Sequence, residues 1–272
     1  MPQITMAEQP GVGLDGLPRP SEDVVVVLPD AVILLDGATS LRPELPSGGA
    51  YATDLATQFA GRLATAPELD LADLLAGAIR AVARGNGFTP GASPASTVAV
   101  VRWDDATVEA LVLADSPVVA FLTTGMAVVE DTRLREGPAG SYRDRLRGGA
   151  GYTDEHVAAL RESARQTSAR RNQEGGYWVA EAVPAAAHHA IRASWPRAEV
   201  TSILIASDGV SCGVDDYGLF DWPAVRALAA DRGPHAVLDA VRAAETSDPA
   251  GIRWPRAKPH DDQALVHIDF TA

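Results

Sequence analysis

The sequence predicts an α+β protein, a four-layer α-β-β-α sandwich with two antiparallel sheets packed face to face and helix pairs outside. Two observations predict it. Apolar runs rich in β-branched residues follow one another at 97–103, 107–113, 118–122 and 126–130, and turns this short force antiparallel pairing. Segments of helical character lie between the groups of strands, which leaves them to cover the outer faces.

The elements follow in order. Residues 1–20 are rich in glycine and proline and are expected to be extended. The runs 24–28 and 31–35 form a hairpin turned at Pro29-Asp30, with Asp23 at the start of one strand and Asp36 at the end of the next. A helix is expected over 52–64. Leu71, Leu74, Leu75, Ala78, Ile79 and Val82 give a second helix an apolar face over 71–83, with Asp70 to cap it and Gly85 and Gly87 to end it. Four strands come next, with Asp104-Asp105 and Thr123-Thr124-Gly125 as turns. Residues 131–176 hold nine arginines and seven acidic residues, with helical character only at 154–166. A helix is expected over 184–192, with proline in its first turn. A buried strand follows at 200–206. Asp221-Trp222-Pro223 and Gly233-Pro234 open two more helices, and a strand at 263–270 comes last. The expected organisation is one domain over 1–272, with a variable insert at about 131–176.

Composition narrows the function. The formal net charge of −13 excludes general nucleic-acid binding. No apolar run reaches membrane-spanning length, and the N-terminus lacks the basic and apolar regions of a signal peptide, so a cytoplasmic protein with no membrane partner is expected. Cys212 is the only cysteine, which excludes an intrachain disulfide, and Lys258 is the only lysine.

Three acidic phrases end or precede apolar runs. They are Asp36-Gly37 after AVILL, Asp208-Gly209 after SILIAS, and Asp261-Asp262 before QALVHIDF. Asp-Gly is a common turn pair, and each phrase alone reads as a turn. Together they point to a shared cation site, because a carboxylate at the end of a buried strand is costly unless neutralised.

The motifs come in a set order. Arg19-Pro20-Ser21-Glu22-Asp23 is followed by Asp36-Gly37, by Ser96-Thr97 opening a strand, by Ala114-Asp115-Ser116, by Ser207-Asp208-Gly209, and by Asp261-Asp262. This order resembles the type 2C metal-dependent serine/threonine protein phosphatases, and in particular an actinobacterial branch of them, from Arg19 to Phe270. The resemblance implies a centre of two Mg²⁺ or Mn²⁺ ions between the sheets. Asp36 would bridge both ions, the Gly37 carbonyl would bind one, and Asp208 and Asp261 the other. Asp23 would orient water. Asp115, with Asp208, would match a third, weaker metal site. Arg19 would clamp the substrate phosphate, although it stands one residue nearer to Asp23 than is usual in the family. Other departures are Ala38-Thr39-Ser40 where many members have histidine after the Asp-Gly pair, Ala114 and Pro117 where the family has glycine and arginine, and Asp262 where it has asparagine.

The function implied is hydrolysis of phosphoserine or phosphothreonine monoesters by a metal-activated water. The alternatives are a phosphatase of small phosphorylated metabolites and a catalytically weak pseudophosphatase that serves as a regulatory binding module. An N-terminal-nucleophile hydrolase needs a processed nucleophile that nothing in the sequence marks. The oligomeric state is not legible.

Overall fold

The computed structural model describes residues 1–39, 42, 44–135 and 141–271 of the chain. Ser40 and residues 136–140 of the arginine-rich segment lie outside the described residues. The elements run β1 (Gln3–Gln9), β2 (Asp23–Val27), β3 (Ala31–Asp36), α1 (Gly48–Thr65), α2 (Leu71–Asn86), β4 (Val98–Trp103), β5 (Thr107–Leu113), β6 (Val118–Leu122) and β7 (Gly125–Val129). They continue with α3 (Ser141–Arg147), α4 (Asp154–Ser168), β8 (Ile191–Pro196), β9 (Val200–Ala206), α5 (Asp208–Asp215), α6 (Trp222–Arg232), α7 (His235–Ser247) and β10 (Gln263–Asp269).

The strands form two five-stranded antiparallel sheets, ordered β1-β10-β9-β6-β7 and β2-β3-β4-β5-β8. Alternation along the strands assigns the layers. In β3, Ala31, Ile33 and Leu35 pack under α1 and α2, whereas Val32 and Leu34 face the opposite sheet. Val32 and Leu34 meet Ile203, Ile205, Val266 and Ile268 in a dry inter-sheet core. The outer face of the other sheet, with Leu204, Ala206 and Leu265, packs on Trp222 and Val225 of α6 and Val237 and Leu238 of α7. The result is the expected α-β-β-α order.

Local chemistry sets the helix limits. The Asp70 carboxylate accepts from the Ala72 amide at 2.8 Å, and Gly87 closes α2 in the left-handed region at φ 68°. Asp221 caps α6 in the same way, accepting from Ala224 at 2.8 Å. Four expectations are corrected. Residues 3–9 are not merely extended but form β1, paired with β10 from Gln3 opposite Asp269 to Gln9 opposite Gln263. The helix expected at 184–192 is a short 3₁₀ turn, Pro184–His189, and the chain then runs into β8, which pairs with β5. Helix α3 was not expected. Nor was α5, since Asp208 is its first residue and not a turn residue.

Candidate metal centre

Strand direction and strand parity together gather the acidic residues. β2 and β10 begin, and β3 and β9 end, at one edge of the sandwich. Asp23 shares its face of β2 with Val25, which packs into the inter-sheet core, and Asp36 shares its face of β3 with Val32 and Leu34. The two carboxylates lie directly opposite each other in the β2–β3 register. Thr97, Ser207 and Asp262 continue the inward-facing rows of β4, β9 and β10 to the same edge. The inter-sheet core is therefore apolar along its length and acidic at this mouth.

Backbone contacts hold the mouth rigid. The Asp36 amide donates to Thr97 Oγ1 at 3.0 Å, and its carbonyl accepts from the Thr97 amide at 2.9 Å and from Ser96 Oγ at 3.0 Å. Thr97 and Ser116 hydroxyls share a 2.7 Å hydrogen bond. Gly37 and Gly209 are present for closeness and not for turn conformation, as neither has positive φ. A Cβ on Gly37 would overlap the Gly48 backbone at the start of α1, and one on Gly209 would overlap the Asp262 carbonyl. Asp208 opens α5 straight after β9, behind the N-cap residue Ser207, whose Oγ accepts from the Ala264 amide at 2.9 Å.

A cavity of about 290 Å³ opens at this mouth, lined by Asp36, Gly37, Asp115, Asp208, Lys258 and Asp261 among others. Leu160, Ala164 and Thr167 of α4 form part of its wall, so the arginine-rich segment stands over the acidic site. Asp36, Asp115 and Asp208 are half-buried, lining the cavity while surrounded by protein. Burial, then repulsion from Asp208, Asp23 and Asp261, raises the Asp36 carboxyl well above its ordinary range. Burial, reinforced by Asp261 and Asp115, brings Asp208 up to about 7, with Asp36 and Lys258 acting in the opposite direction. Burial likewise raises Asp115, opposed by Arg135. Asp23 is 6% exposed, and neither of its carboxylate oxygens has a hydrogen-bond partner. Ser207 stands near enough to ease its charge without completing a well-formed hydrogen bond.

This donor set suits a hard divalent cation. It offers carboxylate oxygens and a backbone carbonyl, with no cysteine or histidine among the described residues of the cavity wall. Among the described residues, no three Asp, Glu, His or Cys side chains stand, as placed, so that they could hold a metal ion together. The hard oxygen donors suit Mg²⁺ or Mn²⁺, which take few carboxylates and keep waters, better than Zn²⁺.

The remaining site residues are placed as follows. Asp262 is committed to structure: its Oδ1 accepts from the Gly11 amide at 2.8 Å and its Oδ2 from Arg19 Nη2 at 2.5 Å. Asp261 is the freer of the pair, 36% exposed in its side chain, with Oδ1 held by the Asp262 amide at 2.9 Å and by Lys258 Nζ at 2.6 Å. Arg19 is gripped by Glu22 and Asp262, and its buried Nε has no partner. Asp115 follows Ala114, which adopts φ 67°. His260 turns to Glu245 at 2.9 Å, and burial, with Arg242 and Arg256 nearby, lowers its pKa. Thr39 and Lys258 escaped sequence reasoning. Lys258 had one signal, as the only lysine, three residues before Asp261.

Among the described residues, no helix is long and apolar enough to cross a membrane. No family model matches the chain, and no curated protein does. Solved structures match it nearly end to end. The catalytic domain of the serine/threonine protein phosphatase PstP, in complex with two manganese ions, aligns at TM-score 0.55 and 13% identity, covering 98% of this chain and 97% of its own. The PPM phosphatase MsPP from Mycobacterium smegmatis, in complex with cacodylate, aligns at TM-score 0.55 and 17% identity, with coverage of 98% and 97%. The serine/threonine phosphatase Stp1 from Staphylococcus aureus aligns at TM-score 0.56 and 11% identity, with coverage of 99% and 95%. The chain therefore shares its fold with these serine/threonine phosphatases.

Proposed function

We propose that this chain is a metal-dependent phosphatase of the type 2C kind, hydrolysing phosphoserine or phosphothreonine monoesters in proteins and acting in the cytoplasm. The observation that carries this reading is the gathering of Asp23, Asp36, Asp208 and Asp261 at one mouth of the inter-sheet core, where their mutual repulsion calls for a cation. The fold is that of serine/threonine phosphatases, one of them in complex with two manganese ions.

Asp36, the Gly37 carbonyl, Asp208 and Asp261 would hold two Mn²⁺ or Mg²⁺ ions, with Asp115 beside a third, weaker position. Bound there, the ions would supply an activated water and neutralise charge on the phosphoryl oxygens. The protein does the rest. The Asp23 carboxylate has both oxygens unpartnered and accepts a hydrogen bond from the attacking water, orienting it. Arg19, its fork held by Glu22 and Asp262 and its Nε buried, would clamp a phosphate oxygen by exchanging one of those carboxylates for it. Among the described residues no histidine lines the cavity, and solvent would protonate the leaving alkoxide.

One observation favours the pseudophosphatase alternative: Lys258 already neutralises part of the Asp261 charge. The experiment that decides is turnover of p-nitrophenyl phosphate and of a phosphothreonine peptide, with Mn²⁺ and after chelation. Turnover of both, lost on chelation, is expected, and Asp208→Asn should reduce it at least about 100-fold with the circular dichroism spectrum unchanged. Turnover of the small ester alone would favour a metabolite phosphatase, and no turnover would favour the binding module.

A further inference from the structure

Lys258 is the only lysine of the chain, and it is 5% exposed. Its Nζ lies 2.6 Å from Asp261 Oδ1, 3.4 Å from Thr39 Oγ1 and 3.7 Å from Asp262 Oδ2, on the wall of the acidic cavity. An ammonium group has three donors. Asp261 takes one at full strength and Thr39 another at long range, while Asp262 is too far for a hydrogen bond. A buried ammonium thus keeps hydrogen-bonding capacity at a cavity wall.

The surroundings show what that capacity suits. Lys258, Arg19 and Thr39 form one network with Glu22, Asp261 and Asp262: Thr39 Oγ1 donates to Glu22 at 2.9 Å and accepts from Arg19 at 3.3 Å. Arg19 is consumed by two carboxylates, so little of its fork remains for a substrate. The other cation on the described cavity wall, Arg171, gives its Nε–H to the Tyr177 hydroxyl at 3.1 Å and stands 3.9 Å from Glu181. Lys258 differs in being bonded to Asp261 itself, so its spare donor capacity lies within the acidic cluster.

Resting on the phosphatase reading, we propose that Lys258 is a direct ligand of the substrate phosphoryl group. It would supply, as a point charge, the contact that the tethered Arg19 fork gives only in part. Asp261 and Thr39 hold the ammonium at the cavity wall until phosphate arrives.

The test is phosphate binding, read apart from turnover. Inorganic phosphate is titrated calorimetrically into the Mn²⁺-saturated protein and its Lys258→Gln and Lys258→Arg variants, and Mn²⁺ binding to each is measured separately. Lys258→Gln should weaken phosphate binding at least tenfold and raise the p-nitrophenyl phosphate KM by a similar factor more than it lowers kcat. The number of Mn²⁺ ions should stay the same and their affinity should not fall, since the variant releases Asp261 from its ion pair, and Lys258→Arg should recover part of the phosphate affinity. Unchanged phosphate affinity in Lys258→Gln would overturn the proposal. So would an additional Mn²⁺ bound by that variant with phosphate affinity unchanged, since Lys258 would then be filling a cation position. If Lys258→Gln does not fold, Lys258→Arg decides: unchanged phosphate affinity overturns the proposal, and a shift at constant Mn²⁺ affinity supports it. Phosphate binding that depends on Lys258 without any hydrolysis would sink the phosphatase reading and leave this contact standing. Metal-dependent hydrolysis with normal phosphate affinity in Lys258→Gln would do the reverse.

Discussion

Ala114 holds a backbone conformation that an alanine seldom takes, at φ 67°, immediately before Asp115. The left-handed region costs a non-glycine residue roughly 1–2 kcal/mol, and glycine gives back part of that in unfolded-chain entropy. Ala114→Gly should therefore stabilise the protein by roughly 0.5–1 kcal/mol in urea unfolding. An unchanged or lower midpoint would show that the strain is absorbed elsewhere. The departure from the family's glycine was visible in the sequence, but its conformational consequence was not, because φ is set by how β5 hands the chain to β6. The Asp261-Asp262 pair teaches a similar lesson. The sequence offers two adjacent carboxylates of equal standing, and only the tertiary contacts with Gly11 and Arg19 show that Asp262 is structural.

Elements carry the site by their ends. β3 delivers Asp36 and Gly37 against the first turn of α1, with no room for a side chain on either of the facing glycines, Gly37 and Gly48. Gly37→Ala should cost at least about 2 kcal/mol of stability, because the obstacle is backbone and cannot rotate away. A thermal midpoint within a degree of the parent would show that α1 can slide. The central strands were legible because their β-branched, apolar character survives on both faces, and β5, β6 and β9 span the residues expected of them. The edge strands β1 and β8 were not legible. Their residues are largely exposed or half-buried, as in Ile191–Pro196, so little apolar patterning marks them. Helix α5 was hidden by its own first residues, since Asp208-Gly209 reads locally as a turn and becomes helical only where β9 and β10 place Asp262 against Gly209.

For the whole molecule, the mouth of the sandwich is a stored repulsion. Asp208 rises from its ordinary 3.8 to about 7, so the metal-free fold binds a proton that the unfolded chain releases. That contribution is complete below the unfolded value near 4 and is lost as pH rises through about 7. Metal-free protein should therefore lose on the order of 2 kcal/mol between pH 5 and 8, allowing for the water in the cavity. Saturating Mn²⁺ should reverse the loss, because an ion that binds only the folded state stabilises it by mass action. A flat pH profile in chelator, with no response to Mn²⁺, would mean that the carboxylates do not act as one cluster. The layer order and the acidic positions were legible in the sequence because strand parity is local. Their convergence on a shared site was expected from the cost of burying carboxylates, but the place where they meet was not, because it depends on strands that begin and end at the same edge of two different sheets.

The pairing of β1 with β10 also has a bearing on biosynthesis. β10 lies between β1 and β9 in the sheet, yet it is the last of these strands to leave the ribosome. Until then, β1 has no neighbour, β9 shows an unpaired edge, and the segment carrying Lys258, Asp261 and Asp262 has not been made. Closure is thus a late event with maximal loop entropy, and a partly synthesised chain exposes strand edges to other copies. Stalled or truncated chains should accordingly need chaperone capture, and the acidic mouth should form only in the final step of folding.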